Sequence, residues 1–228
     1  MTDLSSREEV ALPWPPAEVA TSSFPGFRHM PSTDLYRAHQ KTLGPWWFSS
    51  NLSGRFDVPA PSGTCYLAYS PGCALRESLG RRLAMNTVGL SREELADRVV
   101  SKLRTQGSVL LANTTSPSAT HSRITREIAT VTPYALPQAW AAAFQSGGFG
   151  GVRYLGRFST GTGRADQCVA LFGVNPAPGT LLEDPAPSPA IDVALTAGIR
   201  VAPVAQPAAV SALTIITPPL TGPGSSPQ

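Results

Sequence analysis

An α+β fold is what this 228-residue sequence predicts. Three observations carry the prediction. Hydrophobic residues make up 42% and charged residues 14%, enough apolar surface to bury a core and too few charges for a solvated, disordered chain. Short strand-like runs are mixed irregularly with helix-like runs, which argues for a mixed sheet and against a regular parallel array. The clearest transition is GTCYLAYS, residues 63–70, which leads straight into a helix start at Ser70-Pro71.

The elements follow in chain order. Residues 1–31, with Pro13, Pro15 and Pro16, read as an extended N-terminal leader. The main domain is expected over 32–175, a Pro/Ala-rich extension packing on it over 176–218, and a flexible tail over 219–228. Asp34 to His39 reads as a first strand. Trp46-Trp47-Phe48 reads as core or pocket wall rather than a base-stacking platform. Cys65 to Tyr69 reads as a strand, after which Ser70 suits an N-cap and Pro71 the first helical position. Leu75, Leu79 and Leu83 give that helix its core stripe. Glu77 points away from the stripe, on a side shared with Cys73, Ala74 and Ala84, and so faces a cleft.

A second helix is expected from Ser91, whose capping box is completed by Glu94. Leu95, Val99 and Leu103 would be its buried stripe and Gly107 its end. Ser108 to Ala112 reads as a strand and Asn113 to Ser122 as a polar loop. Pro137 opens a helix to Phe144, stopped by Gly147-Gly148. Gly151 to Leu155 and Cys168 to Phe172 read as strands joined by a Gly-rich link. A linker is expected from Asn175 to about Pro189, a short helix over Ala190 to Ala197, and strands over Ile199 to Val204 and Val210 to Thr217.

Composition narrows the function. A net charge of +3 and a pI near 9.0 fit an anionic small ligand or an acidic partner. There is no dense Lys/Arg block of the kind seen in nucleic-acid arms. A basic nucleic-acid-binding protein stays as an alternative of another class, resting only on the pI and the tryptophans. Cys65, Cys73 and Cys168 are odd in number and form no CxxC, which argues against a disulfide framework or a zinc site. No apolar run approaches the roughly 18 residues of a membrane span, and no signal-peptide core is present. A cytoplasmic protein with reduced thiols is therefore expected. Phosphate-loop, GxSxG and HExxH motifs are absent. Residues 161–166, GTGRAD, lack the last glycine of a dinucleotide fingerprint. His29, His39 and His121 have no metal-ligand spacing, so no metal is expected.

Arg37, Arg55 and Glu77 are the candidates for chemistry. A guanidinium fork matches phosphate or ribose oxygens, and arginines with a carboxylate at a strand-to-helix corner suit an anionic, ribose-bearing ligand. Each has an ordinary structural reading beside that one: Arg37 or Arg55 paired with Asp34 or Asp57, and Glu77 paired with Arg81 one turn on. Tyr66 is either a stacking or hydroxyl contact for a ligand or a core tyrosine of the sheet.

In order, LYRAH (35–39), SGRFD (53–57), GTCYLAYS, ALRE (74–77), LPQAWAAAFQSGGFGGVRY (136–154) and VALF (169–172) resemble the RES domain. That family is named for an arginine, a glutamate and a serine. The resemblance implies an ADP-ribosyltransferase-like fold, a mixed split sheet with flanking helices. It implies an NAD-consuming enzyme that cleaves the nicotinamide–ribose bond, as a glycohydrolase, phosphorylase or ADP-ribosyltransferase, and acts as the toxin of a bacterial toxin–antitoxin pair. NAD would be a substrate and not a cofactor. The partner implied is an antitoxin carrying a DNA-binding domain, with no membrane and no direct nucleic-acid contact, and homo-oligomers are compatible with it. Residue by residue, the arginine falls on Arg37 and the glutamate on Glu77, both catalytic. Arg37, Arg55 and Tyr66 fall at NAD-binding positions. The serine's position is held by Gly156, and Ser159 is the nearest replacement. That departure supports a second reading, an NAD- or ADP-ribose-binding member of the fold with impaired turnover.

Overall fold

A computed structural model of the chain describes residues 12–16, 23–85, 89–174, 181–183 and 185–203. The strand expected over Val210 to Thr217 and the tail at 219–228 lie outside the described residues. The elements are β1 (Gly26–His29), β2 (Leu35–Gln40), β3 (Gly63–Ala68), α1 (Pro71–Met85), α2 (Arg92–Ala96), β4 (Arg98–Thr105), β5 (Val109–Asn113), α3 (Ala135–Ser146), β6 (Gly151–Leu155), β7 (Gln167–Gly173), β8 (Leu181–Glu183), β9 (Ser188–Pro189) and α4 (Ala190–Thr196). The expected α+β class is observed. One mixed sheet runs β1-β5-β6-β7-β3-β2-β4-β8, with β9 also on β4, and among the described strands only β5 and β6 pair in parallel.

Strand alternation divides the core in two, because successive side chains point to opposite faces. On one face Ala68, Val100, Ala112, Val152, Tyr154, Cys168 and Ala170 meet the helices through Leu75 and Leu79 of α1, Trp140 and Phe144 of α3, and Val193 of α4. On the other, Leu35, Cys65, Leu67, Leu103, Leu111, Val169 and Leu171 are covered by Phe48 and Trp46. Trp47, the third member of that aromatic run, is exposed. Leu12 is buried in the helical-side core, and Trp140 Nε1 donates to Pro13 O at 2.8 Å. The segment expected as a leader thus contributes to the fold here and at β1.

The sheet parts near its middle. β3 pairs with β7 along its whole length, and β2 pairs with β4 along its whole length. Between β2 and β3 the register holds one pair, Tyr36↔Ala68. This is where the site lies.

Three sequence expectations are corrected. The helix from Ser91 keeps its capping box, with Glu94 N donating to Ser91 Oγ and Ser91 N to Glu94 Oε2. It ends at Ala96, however, and Arg98–Thr105 is strand β4. Leu95, Val99 and Leu103 repeat every four residues, a spacing that one face of a helix and one face of a strand share. The β-branched pair Val99-Val100 and long pairing with β2 decide for the strand. The linker expected up to Pro189 includes β8 and β9, which cover the outer edge of β4. The strand expected from Ile199 is a single parallel bridge, Leu90↔Val201.

Candidate active site

β3 and α1 place the acid. Ser70 Oγ accepts Cys73 N at 3.2 Å and caps the helix. Leu75 and Leu79 bury their stripe, which turns Glu77 toward the gap between β2 and β3. A cavity of about 700 Å³ opens there, inside the range usual for small-molecule sites. Arg37, Arg55, Tyr66 and Glu77 all line it, together with Tyr134, Tyr154 and Arg157. Four candidates that lie as far as 40 residues apart in sequence therefore share one chamber.

Glu77 is held by the loop after β6. Phe158 N donates to Glu77 Oε1 at 2.8 Å. Burial pushes the Glu77 carboxyl above its ordinary range, opposed by the Phe158 and Arg157 amides and then by the Arg55 and Arg157 charges. The Phe158 ring lies where a side chain on Gly80 of α1 would be, so Gly80 gives the loop its seat. Gly156 is similarly close: a Cβ there would stand 2.9 Å from Glu77 Oε1 and 3.2 Å from both Asp166 O and Cys73 Sγ. Ser159 is outside the lining, its Oγ 3.6 Å from Cys73 Sγ.

Arg37 is anchored through one nitrogen. Its Nη1 donates to Pro45 O at 2.6 Å and Trp47 O at 3.0 Å, and lies 3.0 Å from Cys65 Sγ. Nη2 and Nε belong to the remaining edge of the fork, since a guanidinium carries five N–H donors. Asp34 is engaged instead by Arg104 at 2.6 Å.

Arg55 is buried, donates from Nη1 to Val131 O, and lies 4.6 Å from the centre of the Tyr134 ring. Burial lowers its pKa, with Tyr134, and further down Tyr154 and Glu77, working the other way. Asp57 does not serve as its partner. Its carboxylate accepts Gly54 N and the Tyr66 hydroxyl, each at 2.8 Å. Tyr66 Oη also accepts Phe56 N at 2.8 Å. The hydroxyl is thus committed to the 54–57 turn, and burial first, then Asp57, push it far above the usual phenol range. What Tyr66 offers the cavity is its ring. Gln138 of α3 fixes the same turn through Leu52 O and Gly54 O, both at 2.8 Å.

Sequence reasoning missed Tyr134, Tyr154, Gln138 and the Phe158 amide as parts of this site. Tyr154 ends the GGVRY motif, and strand alternation puts it on the same face as Val152. A backbone amide leaves no sequence signal, and Tyr134 and Gln138 reach the site only through tertiary packing. Among the described residues, no group of three or more His, Cys, Asp or Glu side chains is arranged to hold a metal ion, and no helix is long and apolar enough to cross a membrane.

Curated proteins give no match to the sequence. Among solved structures, the chain is similar to one in the crystal structure of the M. tuberculosis MbcT–MbcA toxin–antitoxin complex. The identity is 13%, the match covers 72% of this chain and 88% of that one, and the TM-score is 0.57. At that identity the likeness is one of fold. The RES domain family model matches residues 34–195, a span that includes β8, β9 and most of α4. The chain belongs to the RES domain family.

Proposed function

We propose that the protein is an NAD-consuming enzyme that breaks the nicotinamide–ribose bond, and that it is the toxin of a toxin–antitoxin pair. The observation that carries the reading is Glu77: a partly buried carboxylate, fixed at 2.8 Å by a backbone amide and facing a cavity that Arg37, Arg55 and Arg157 also line. Loss of nicotinamide passes through an oxocarbenium-like ribose. The bond's electron pair leaves with the ring nitrogen and neutralises the pyridinium. A fixed carboxylate stabilises the positive charge left at the anomeric carbon. Arg55, the open edge of Arg37 and Arg157 are assigned to the phosphates, and the Tyr66 ring to stacking. Water, phosphate or a protein side chain then takes the ADP-ribosyl group at that carbon. Family membership and the fold shared with a chain of the MbcT–MbcA complex support the toxin reading, and with it a cognate antitoxin bearing a DNA-binding domain.

One observation favours a second reading, a binding protein without turnover: Gly156 stands where the resemblance expects a serine, and a Cβ there would stand 2.9 Å from Glu77 Oε1, displacing the acid. Incubating the purified protein with NAD, with and without phosphate, separates the two. The enzyme reading expects free nicotinamide to accumulate. NAD that binds and stays intact under both conditions would establish the second.

A further inference from the structure

Two of the three thiols meet beside the cavity. Cys73 is the third residue of α1 and Cys168 the second of β7, yet their sulfurs are 3.5 Å apart. Both side chains are buried. Cys168 lines the cavity. Cys73 stands just behind the wall, with Ser159 Oγ on one side and the bare Cα of Gly156 on another. A Cβ on Gly156 would stand 3.2 Å from the Cys73 sulfur, so the glycine leaves that side of the thiol open to the loop. The third thiol, Cys65, belongs to the other face of the sheet, against Arg37 and Pro45 O.

We propose that Cys73 and Cys168 form a modification site, a reversible disulfide made by a small peroxide entering through the cavity, with Cys73 the attacking thiol and Cys168 the resolving one. The roles follow from placement. Cys73 lies in the first turn of a 15-residue helix, where the positive end of the helix dipole favours a thiolate. Cys168 sits buried in mid-sheet between Ala68 and Tyr154, where burial makes a thiolate costly. The electrostatics agree with the placement: on Cys73 the hydrogen bond shared with Cys168 outweighs burial and brings the thiol below its ordinary range, while on Cys168 that bond and burial together push it well above.

The chemistry balances. The Cys73 thiolate attacks one peroxide oxygen, an S–O bond forms, the O–O bond breaks and hydroxide leaves, to be protonated to water. The Cys168 thiol then gives up its proton and its sulfur attacks Cys73. The S–S bond forms and the S–O bond breaks, releasing a second water. Two thiols are oxidised and one peroxide is reduced. The sulfurs need to close from 3.5 Å to about 2.05 Å. The bond would tie α1 to β7 one turn before Glu77.

The test uses the full chain with hydrogen peroxide, followed by intact mass and non-reducing peptide mapping. The expected product is lighter by two hydrogens, joins the Cys73 and Cys168 peptides, leaves Cys65 free, and reverts with dithiothreitol. In Cys168→Ser, a 1,3-diketone probe should label Cys73 as the trapped sulfenic acid. Oxygen addition without loss of hydrogen, no reaction at all, or a cross-link through Cys65 would overturn the proposal. The wild-type mapping decides it even where the variant fails to fold.

Discussion

Arginines lie over aromatic rings on both faces of this sheet. On the cavity face, Arg55 lies 4.6 Å from the centre of the Tyr134 ring. On the opposite face, Arg153 lies 4.0 Å from that of Phe27 and Arg164 4.8 Å from that of Tyr69. The chemistry of the pairs is the same; their surroundings differ. Arg153 is tied to Gln167 and Asn113, and Arg164 reaches Thr33 at 3.4 Å. His29, against Tyr69, is buried there and kept neutral. The cavity face adds an acid whose partner is a backbone amide, and open volume before it. An arginine on an aromatic ring is a common way to cover apolar surface. A partly buried carboxylate facing a cavity is less common, and it is the reason the proposed chemistry is assigned to that side.

That contrast breaks most directly at Glu77. Glu77→Gln should slow nicotinamide release by on the order of 100- to 1,000-fold, the usual effect of removing one charge-stabilising group. Its folded pKa is raised, so the native state binds protons more readily than the unfolded chain, and ionising it at neutral pH opposes folding. The variant should therefore melt no lower than wild type at pH 7. By the same sign, wild-type activity should fall as pH drops through that raised pKa. A pH–rate profile beside thermal melts checks both.

Gly80 tests whether the loop positions the acid. A methyl group there meets the Phe158 ring, so Gly80→Ala should move the amide off Glu77 and cost roughly 10- to 100-fold in kcat. Steady-state kinetics with a melting curve as control would expose a merely unfolded variant.

The two faces should then diverge under one type of substitution. Arg157→Ala on the cavity side should lower kcat/KM for NAD about tenfold, as expected for a lost charge-assisted bond, with the melting temperature unchanged. Arg153→Ala should leave turnover alone and cost about 1–3 kcal/mol of stability through unmet polar groups, measured by denaturant unfolding. Equal effects of the two variants on NAD would erase the distinction drawn here.

The smallest expected effect is at His29. Its pKa is lowered to about 4, first by burial and then by Arg164. As pH falls below 6.5 the unfolded chain takes the proton first, so the stability contributed is whole above that value and is lost on the way down to about 4. His29→Gln should flatten this part of the stability curve relative to wild type.

Much of the site was legible because its residues are fixed by local patterns. Ser70-Pro71 and the leucine stripe set the face of α1 that Glu77 occupies, and only the final hold on its carboxylate comes from distant chain, through Phe158 N. SGRFD is a turn closed locally by its glycine and aspartate, Gly54 N donating to Asp57, and only the contacts of Arg55 lie far along the chain. The rest depends on contacts far apart in sequence. The parting of β2 from β3 is a matter of strand order, and no run of residues encodes it. Cys73 and Cys168 meet across 95 residues, which an odd cysteine count conceals. β4 was misread because a four-residue repeat fits either element.

The account rests on Glu77 acting in turnover while the cavity binds NAD without it. Calorimetric titration of NAD into folded Glu77→Gln, with product analysis of the same sample, tests this most directly. Binding within a few-fold of a non-hydrolysable NAD analogue on wild type, with NAD recovered intact, is the predicted result. Nicotinamide appearing at the wild-type rate, or no binding by either protein, would contradict it.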